Sequence, residues 1–206
     1  SSAVFIDSYP GLPFADVHAI DYAEMDTAFN SRGFSSVEKR NDEWLVMNYH
    51  YRLAESLLVV EQTWQKDLLS APYKPSTFDT LKLGHGNIQD GLSLVSFARH
   101  HVRRNDTVRV PTIAYARVGS TTFSFSGKRE LIEIDKLDRP LRTVVLEGKA
   151  EFEGIFGLTG DFQGWFSDDA AAVPIKAKMK VILGWVNIEL IEWDRPGWSP
   201  PIRSKR

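Results

Sequence analysis

Residues 174–193 read PIKAKMKVILGWVNIELIEW. Ile175, Ala177, Met179, Val181 and Leu183 alternate with Lys176, Lys178 and Lys180. Successive side chains of a strand point to opposite faces, so this run predicts a strand with one buried and one wet face. After Gly184, the stretch from Trp185 to Trp193 follows as the next strand. The same period extends upstream to Thr107. Val108 and Val110 alternate with Thr107 and Arg109, Phe123 and Phe125 with Thr122, Ser124 and Ser126, and Ile132 and Ile134 with Glu133 and Asp135. Turn residues separate these runs at Gly119-Ser120, Ser126-Gly127 and 135–140, and 141–147 and 149–156 continue the series. Strands joined by short turns without helices between them imply an antiparallel meander.

One segment breaks the pattern. Ile88, Leu92, Val95, Ala98 and Val102 recur at helical spacing, predicting a helix over 87–104 with Asn87 as N-cap. Its last turns hold Arg99, His100, His101, Arg103 and Arg104, which complement the negative end of the helix dipole. The expected fold is mainly β: a curved antiparallel meander sheet, or an incomplete β-barrel, with this one main helix packed on its concave side. Upstream, 43–51 reads as a strand with neighbours on both sides, 54–64 leans toward helix, and Pro72 and Pro75 mark a loop.

The expectation is a single domain over 1–206. Residues 1–40 are read as an irregular acidic arm, because the first thirty residues hold five acids and no Lys or Arg, with a short helix near 21–29. A β-rich core spans 41–193. Residues 194–206, broken by Pro196, Gly197, Pro200 and Pro201 and ending in Arg203-Ser204-Lys205-Arg206, are read as a loosely ordered basic tail.

Composition excludes several classes. The 206 residues are 43% hydrophobic and 12% aromatic, which is globular rather than disordered. A formal net charge of -2 argues against a general nucleic-acid partner. No apolar run reaches the roughly 18–20 residues of a transmembrane span. With no Cys, thiol chemistry and thiolate zinc sites are excluded.

The chemistry-bearing residues do not converge on a mechanism. His18, His50, His85, His100 and His101 show no metal-binding spacing, and no nucleophile elbow is present, so no catalytic residue, metal or cofactor is assigned. Gly84-His85-Gly86 lacks the rest of a dinucleotide fingerprint. Asp168 and Asp169 are adjacent carboxylates, suited either to a turn, through side-chain bonds to nearby N–H groups, or to ligand contact. Four of the six tryptophans (Trp165, Trp185, Trp193 and Trp198) fall in the last forty-two residues. They either fill the core or line a concavity for an apolar or sugar ligand.

The segments QDGLS (89–93), GKAEFEGIFG (148–157) and GWFSDDAAAVPIKAKMKVILG (164–184) together resemble the family called domain of unknown function 3108, found among exported bacterial cell-envelope proteins. The resemblance covers roughly 87–192. Family members carry a basic residue between the paired Asp and the Pro, where this chain has Ala170, Ala171 and Ala172. The resemblance implies an exported periplasmic or envelope protein. The opening Ser1-Ser2-Ala3 suits a stretch following a signal-peptide cleavage site or a lipidated Cys. The function expected is non-enzymatic binding of a hydrophobic or amphiphilic ligand (a lipid or a glycan) or of an envelope protein partner. The site residues would be Trp165, Phe166, Trp185, Phe156, Asp168 and Asp169. One rival is an envelope enzyme acting on polysaccharide or lipid through Glu133, Glu151, Asp168 and Asp169. Another is a structural subunit of an envelope assembly.

Overall fold

The computed structural model describes residues 1–7, 18–72, 74–84, 88–151, 159–181 and 184–203. Among these residues are twelve strands and one α-helix. β1 (Ser2–Asp7), β2 (His18–Met25), β3 (Ser31–Arg40), β4 (Glu43–Arg52), β5 (Leu57–Gln65) and β6 (Thr77–Lys82) form one sheet, each strand beside its sequence neighbour. α1 (Gly91–His101) follows. β7 (Asp106–Ala114), β8 (Arg117–Ile132), β9 (Leu141–Ala150), β10 (Gly160–Ser167), β11 (Pro174–Val181) and β12 (Gly184–Glu189) form the second sheet in the same meander order. The expected mainly β, antiparallel meander is therefore the fold, and neither sheet closes into a barrel among the described residues. The described residues divide into two compact units. Unit 1 holds Ser1–Leu94 and Pro111–Val118, and unit 2 holds Val95–Val110 and Gly119–Arg206.

In unit 1 the core is Ala23, Phe34, Leu45, Met47, Tyr49, Leu58, Val60, Ile88 and Ile113. The irregular acidic arm expected over 1–40 is instead β1 to β3. The cause is an inverted pattern in β2. Ala19, Asp21 and Ala23 face inward and are buried, while Ile20 and Tyr22 are about two-fifths exposed. Small residues inside and large ones outside look like surface to a reading based on charge and size. No helix forms over 21–29. Asp26 closes a turn there, its Oδ1 accepting from the N–H groups of Ala28 and Asn30 at 2.9 Å each. Residues 8–17 lie outside the described residues.

The helix expected over 54–64 is also a strand. A single 3-10 turn at Leu53–Glu55 precedes β5, which pairs with β4 on one side and β6 on the other. Two flanking ladders and the β-branched Val59, Val60 and Thr63 favour the extended form over a short helix. The β3–β4 hairpin turns on Asn41-Asp42, where Asn41 takes φ +57°, the left-handed region that Asn tolerates.

α1 is shorter than the 87–104 expected. Its N-cap is Asp90, whose Oδ1 accepts from the N–H groups of Leu92 (2.9 Å) and Ser93 (2.8 Å). Ser93 Oγ accepts in return from the Asp90 N–H at 2.8 Å. This reciprocal cap satisfies donors that the first turn leaves free. Asn87, the expected cap, lies outside the described residues, as do His85 and Gly86.

In unit 2 the later part of α1 lies on β8. The Phe97 and Phe123 rings are 5.7 Å apart, the His101 and Phe125 rings 6.3 Å, and Ala98 and Val102 are buried. Val95, expected on the apolar stripe, is 46% exposed. The turns expected at Gly119-Ser120 and Ser126-Gly127 are not turns, because β8 runs unbroken for 16 residues. Gly127, at φ +62°, sits where the pairing of β8 with β9 shifts between Phe125 and Arg129. A glycine in a strand serves a bulge as readily as a turn, and local sequence does not separate the two.

The tail is tied down as far as Arg203. Trp198 and Ile202 pack on the cluster of Ile134, Leu141 and Ile175. The Arg142 N–H donates to the Pro201 carbonyl, and the Arg203 N–H donates to that of Pro140, at 3.0 Å each. Its prolines and Gly197 prevent regular structure without preventing packing. Residues 204–206 lie outside the described residues.

Candidate functional site

The five described residues among the six expected at the site do not share one place. Trp165 and Phe166 are adjacent on β10 and both buried. The Trp165 indole N–H donates to Glu130 Oε2 at 2.9 Å. Glu130 is held below the usual carboxylate range by its hydrogen bond from Lys128 and then by that of Trp165. These two rings are core, not a ligand surface. Phe156 lies outside the described residues.

Asp168 and Asp169 form a turn rather than a ligand pair. Asp169 Oδ1 accepts from Ser167 Oγ and the Ala171 N–H at 2.9 Å each, and from the Ala172 N–H at 3.1 Å. Its Oδ2 accepts the Trp198 indole N–H at 2.9 Å. Burial alone would raise this carboxyl, but those four donors hold it below the usual range. Asp168 accepts from Arg129 Nε at 3.0 Å. The basic partner absent from 170–172 is thus supplied from β8. Arg99 and Arg103 of the α1 end donate to the carbonyls of Ala171 and Asp169, so the basic cluster also has a structural use. Glu133 is exposed, and Glu151 is bonded to Arg109 and Ser120. The four acids proposed for an enzyme therefore do not meet at one cleft.

Trp185 is different. It is 47% exposed and lines an open groove of about 280 Å³ on the β9–β12 sheet. β9 contributes Glu147 and Gly148, β10 Asp161, Phe162 and Gln163, and β11 Lys178. Register shows how these side chains come together. Gln163 pairs with Glu147 on one side and Lys178 on the other, Asp161 pairs with Lys149, and Trp185 pairs with Lys180. Paired residues share a face, so Glu147, Asp161, Gln163, Lys178 and Trp185 stand on one side of the sheet. The Phe162 ring projects to the other side, edge-on to Phe123 at 5.7 Å. It lies over Gly148, where an added Cβ would come within 2.2 Å of the ring. Trp185 is thus the one aromatic side chain in the groove among the described residues.

Gln163 Nε2 donates to Glu147 Oε1 at 3.2 Å, and Lys178 Nζ stands 4.9 Å from the Trp185 ring centroid. Of the β11 lysines, Lys176 is neutralised by Glu189. Lys178, Lys180, Glu147 and Asp161 form no ion pair among the described residues. The groove offers a flat apolar ring beside an amide, two carboxylates and an ammonium. Trp185 stands out in the sequence, whereas its polar neighbours do not. Only the alternation about Gln163 and Lys178 marks their shared face, and nothing in the chain marks the cross-strand register that makes them neighbours.

A second polar cluster lies inside unit 1. Ser36 Oγ donates to Asp21 Oδ1 at 2.6 Å. Tyr115 OH donates to Glu38 Oε1 at 3.0 Å, and Arg40 binds both Glu38 and Tyr115 OH. Tyr51 OH donates to Ser31 Oγ at 2.6 Å, and Ser31 in turn donates to Asp90. Burial lifts the Asp21 carboxyl from 3.8 to about 6, opposed by the Ser36 bond and reinforced by Glu38 and Asp90. Burial likewise raises Asp90 and Tyr115. Glu38, Asp90, Ser31 and Ser36 are sealed from solvent, so this cluster is internal bracing. Part of that bracing holds Tyr115 and Ala116, both in the left-handed region at φ +45° and +58°.

Among the described residues no group of three or more His, Asp or Glu is arranged to hold a metal ion. No helix among them is long and apolar enough to cross a membrane. Comparisons with family models, with curated proteins and with solved structures found no match to this chain.

Proposed function

We propose that this chain is a non-enzymatic binding protein of the bacterial envelope, and that the groove beside Trp185 holds an amphiphilic ligand. The observation that carries the reading is the half-exposed indole of Trp185 among Glu147, Asp161, Gln163 and Lys178. Aromatic side chains bring a large apolar area and usually bury it, and those left at a polar concavity characteristically meet a partner. The absence of convergent acids at 133, 151, 168 and 169 supports binding over hydrolysis. Assignment to the envelope rests on the resemblance of 87–192 to exported proteins.

The test is mass spectrometry of small molecules released from protein purified under native conditions, run on wild type and on Trp185→Ala. A defined molecule present in wild type and depleted in the variant is the expected result. Equal yields from both proteins would refute the groove as the site.

A further inference from the structure

Resting on that reading of the groove, we propose that its ligand is a neutral saccharide, an oligomer of uncharged pyranose rings lying across strands β9 to β12. Three properties of the face select this class.

The first is the amount of apolar surface. Trp185 is the only aromatic side chain the groove presents among the described residues, because Phe162 projects through to Phe123 on the opposite face. Hydrophobic gain scales with the area removed from water. An acyl chain laid in this open groove would leave most of its length wet. A pyranose ring asks for less, since one C–H face stacks on the indole and its rim of hydroxyls remains to be hydrogen-bonded.

The second is charge. Glu147 and Asp161 oppose an anionic ligand, while Lys149, Lys178 and Lys180, set on the same face by register, oppose an organic cation. The signs are interleaved rather than separated, so no strong field of either sign favours an ion. Polar groups of both kinds hydrogen-bond a neutral polyol without needing its charge.

The third is spacing. Gln163 and Glu147 are direct cross-strand partners, and their mutual bond of 3.2 Å holds an amide beside a carboxylate. Together they retain a free N–H, an amide oxygen and carboxylate lone pairs, the complement of adjacent ring hydroxyls. Neighbouring strands lie about 4.8 Å apart, close to the repeat of a pyranose oligomer. Trp185, Lys178, Gln163 and Glu147 come from four successive strands, so consecutive rings meet consecutive strands.

The full chain is titrated calorimetrically with four probes: a glucose tetramer, an N-acetylglucosamine tetramer, a galacturonate tetramer and oleate. The expected result is binding of one or both neutral tetramers. That binding should weaken at least tenfold in Trp185→Ala and severalfold in Gln163→Ala, and change less than twofold between low and high salt. Far-UV circular dichroism confirms that both variants fold. Binding of galacturonate or oleate alone, lost in Trp185→Ala, would overturn the saccharide and leave the groove standing as a binding site. Neutral-tetramer binding that is unchanged in Trp185→Ala would overturn the assignment to this groove. No binding of either neutral tetramer at millimolar concentration also overturns the proposal. The native extraction described above then decides separately whether the groove binds anything.

Discussion

Replacing Asp21 by Asn should make the protein more stable at neutral pH, although it removes a buried and hydrogen-bonded side chain. Asp21 is 2% exposed, and burial lifts its carboxyl from 3.8 to about 6 with help from Glu38 and Asp90. The unfolded chain keeps the ordinary value. Well below pH 4, at about pH 3, both states hold the proton and the site costs nothing. As pH rises toward 6 the unfolded state releases the proton first, so stability falls, and above 6 the loss is complete. The two values lie about two pH units apart, and at about 1.36 kcal/mol for each unit the loss approaches 3 kcal/mol. Asn carries no charge to desolvate, and its amide oxygen still accepts the Ser36 hydroxyl that now stands 2.6 Å from Oδ1. It also removes the repulsion from Glu38 and Asp90. The advantage of Asn at 21 should therefore be smallest at pH 4, the lowest pH measured, and grow to about 3 kcal/mol at pH 7.5. Urea unfolding followed by far-UV circular dichroism at pH 4, 5, 6 and 7.5 measures both. Asp90 titrates in the same direction, so the difference between the two proteins at each pH, not the slope of either, isolates Asp21. The reasoning is refuted if the Asn protein is less stable at pH 7.5, or if the difference does not grow with pH.

Ala116 sits at φ +58°, where a side chain costs about 1 kcal/mol that glycine does not incur. Ala116→Gly should raise the urea midpoint, and a lowered midpoint would mean that the Tyr115-Ala116 turn is not strained. Asp169→Ala removes the acceptor for Trp198, Ser167 and two backbone N–H groups, with an expected cost of about 2–3 kcal/mol. It should also make the segment after 194 sensitive to limited proteolysis, since Trp198 loses its anchor. Because the Asp169 carboxyl is held below its ordinary value, its contribution is present above that ordinary value and lost as pH falls through the lowered one. Wild type should therefore gain protease sensitivity in this segment in strong acid, while the Ala variant, sensitive at every pH, should not.

Much of unit 2 is legible without coordinates. The lysines at 176, 178 and 180 share a face with Trp165 and Gln163, as period-two alternation requires, and Ile175 is buried on the other. A helix in this region and a turn as one of two readings of Asp168-Asp169 are legible, but the cap is Asp90 rather than Asn87, and Asp169 is the acceptor that closes the turn. β2 was not legible, because its buried face is made of Ala19, Asp21 and Ala23. An acid goes inside only where distant groups receive it, here Ser36 from the next strand. β5 was not legible either, since a run such as Leu57-Leu58-Val59-Val60 suits helix or strand until the flanking ladders are known.

The chain alone therefore determined what depends on near neighbours: the meander after 107, the presence of one helix before it and the face on which each strand residue stands. Tertiary structure decided what depends on strands distant in sequence: the bulge at Gly127, the anchoring of the tail on Asp169, the burial of Asp21 and the groove. The division has one physical cause. Turns, caps and alternation are bonded within a few residues and are written in local order, whereas Glu147, Gln163, Lys178 and Trp185 become neighbours only through the register of four separate strands.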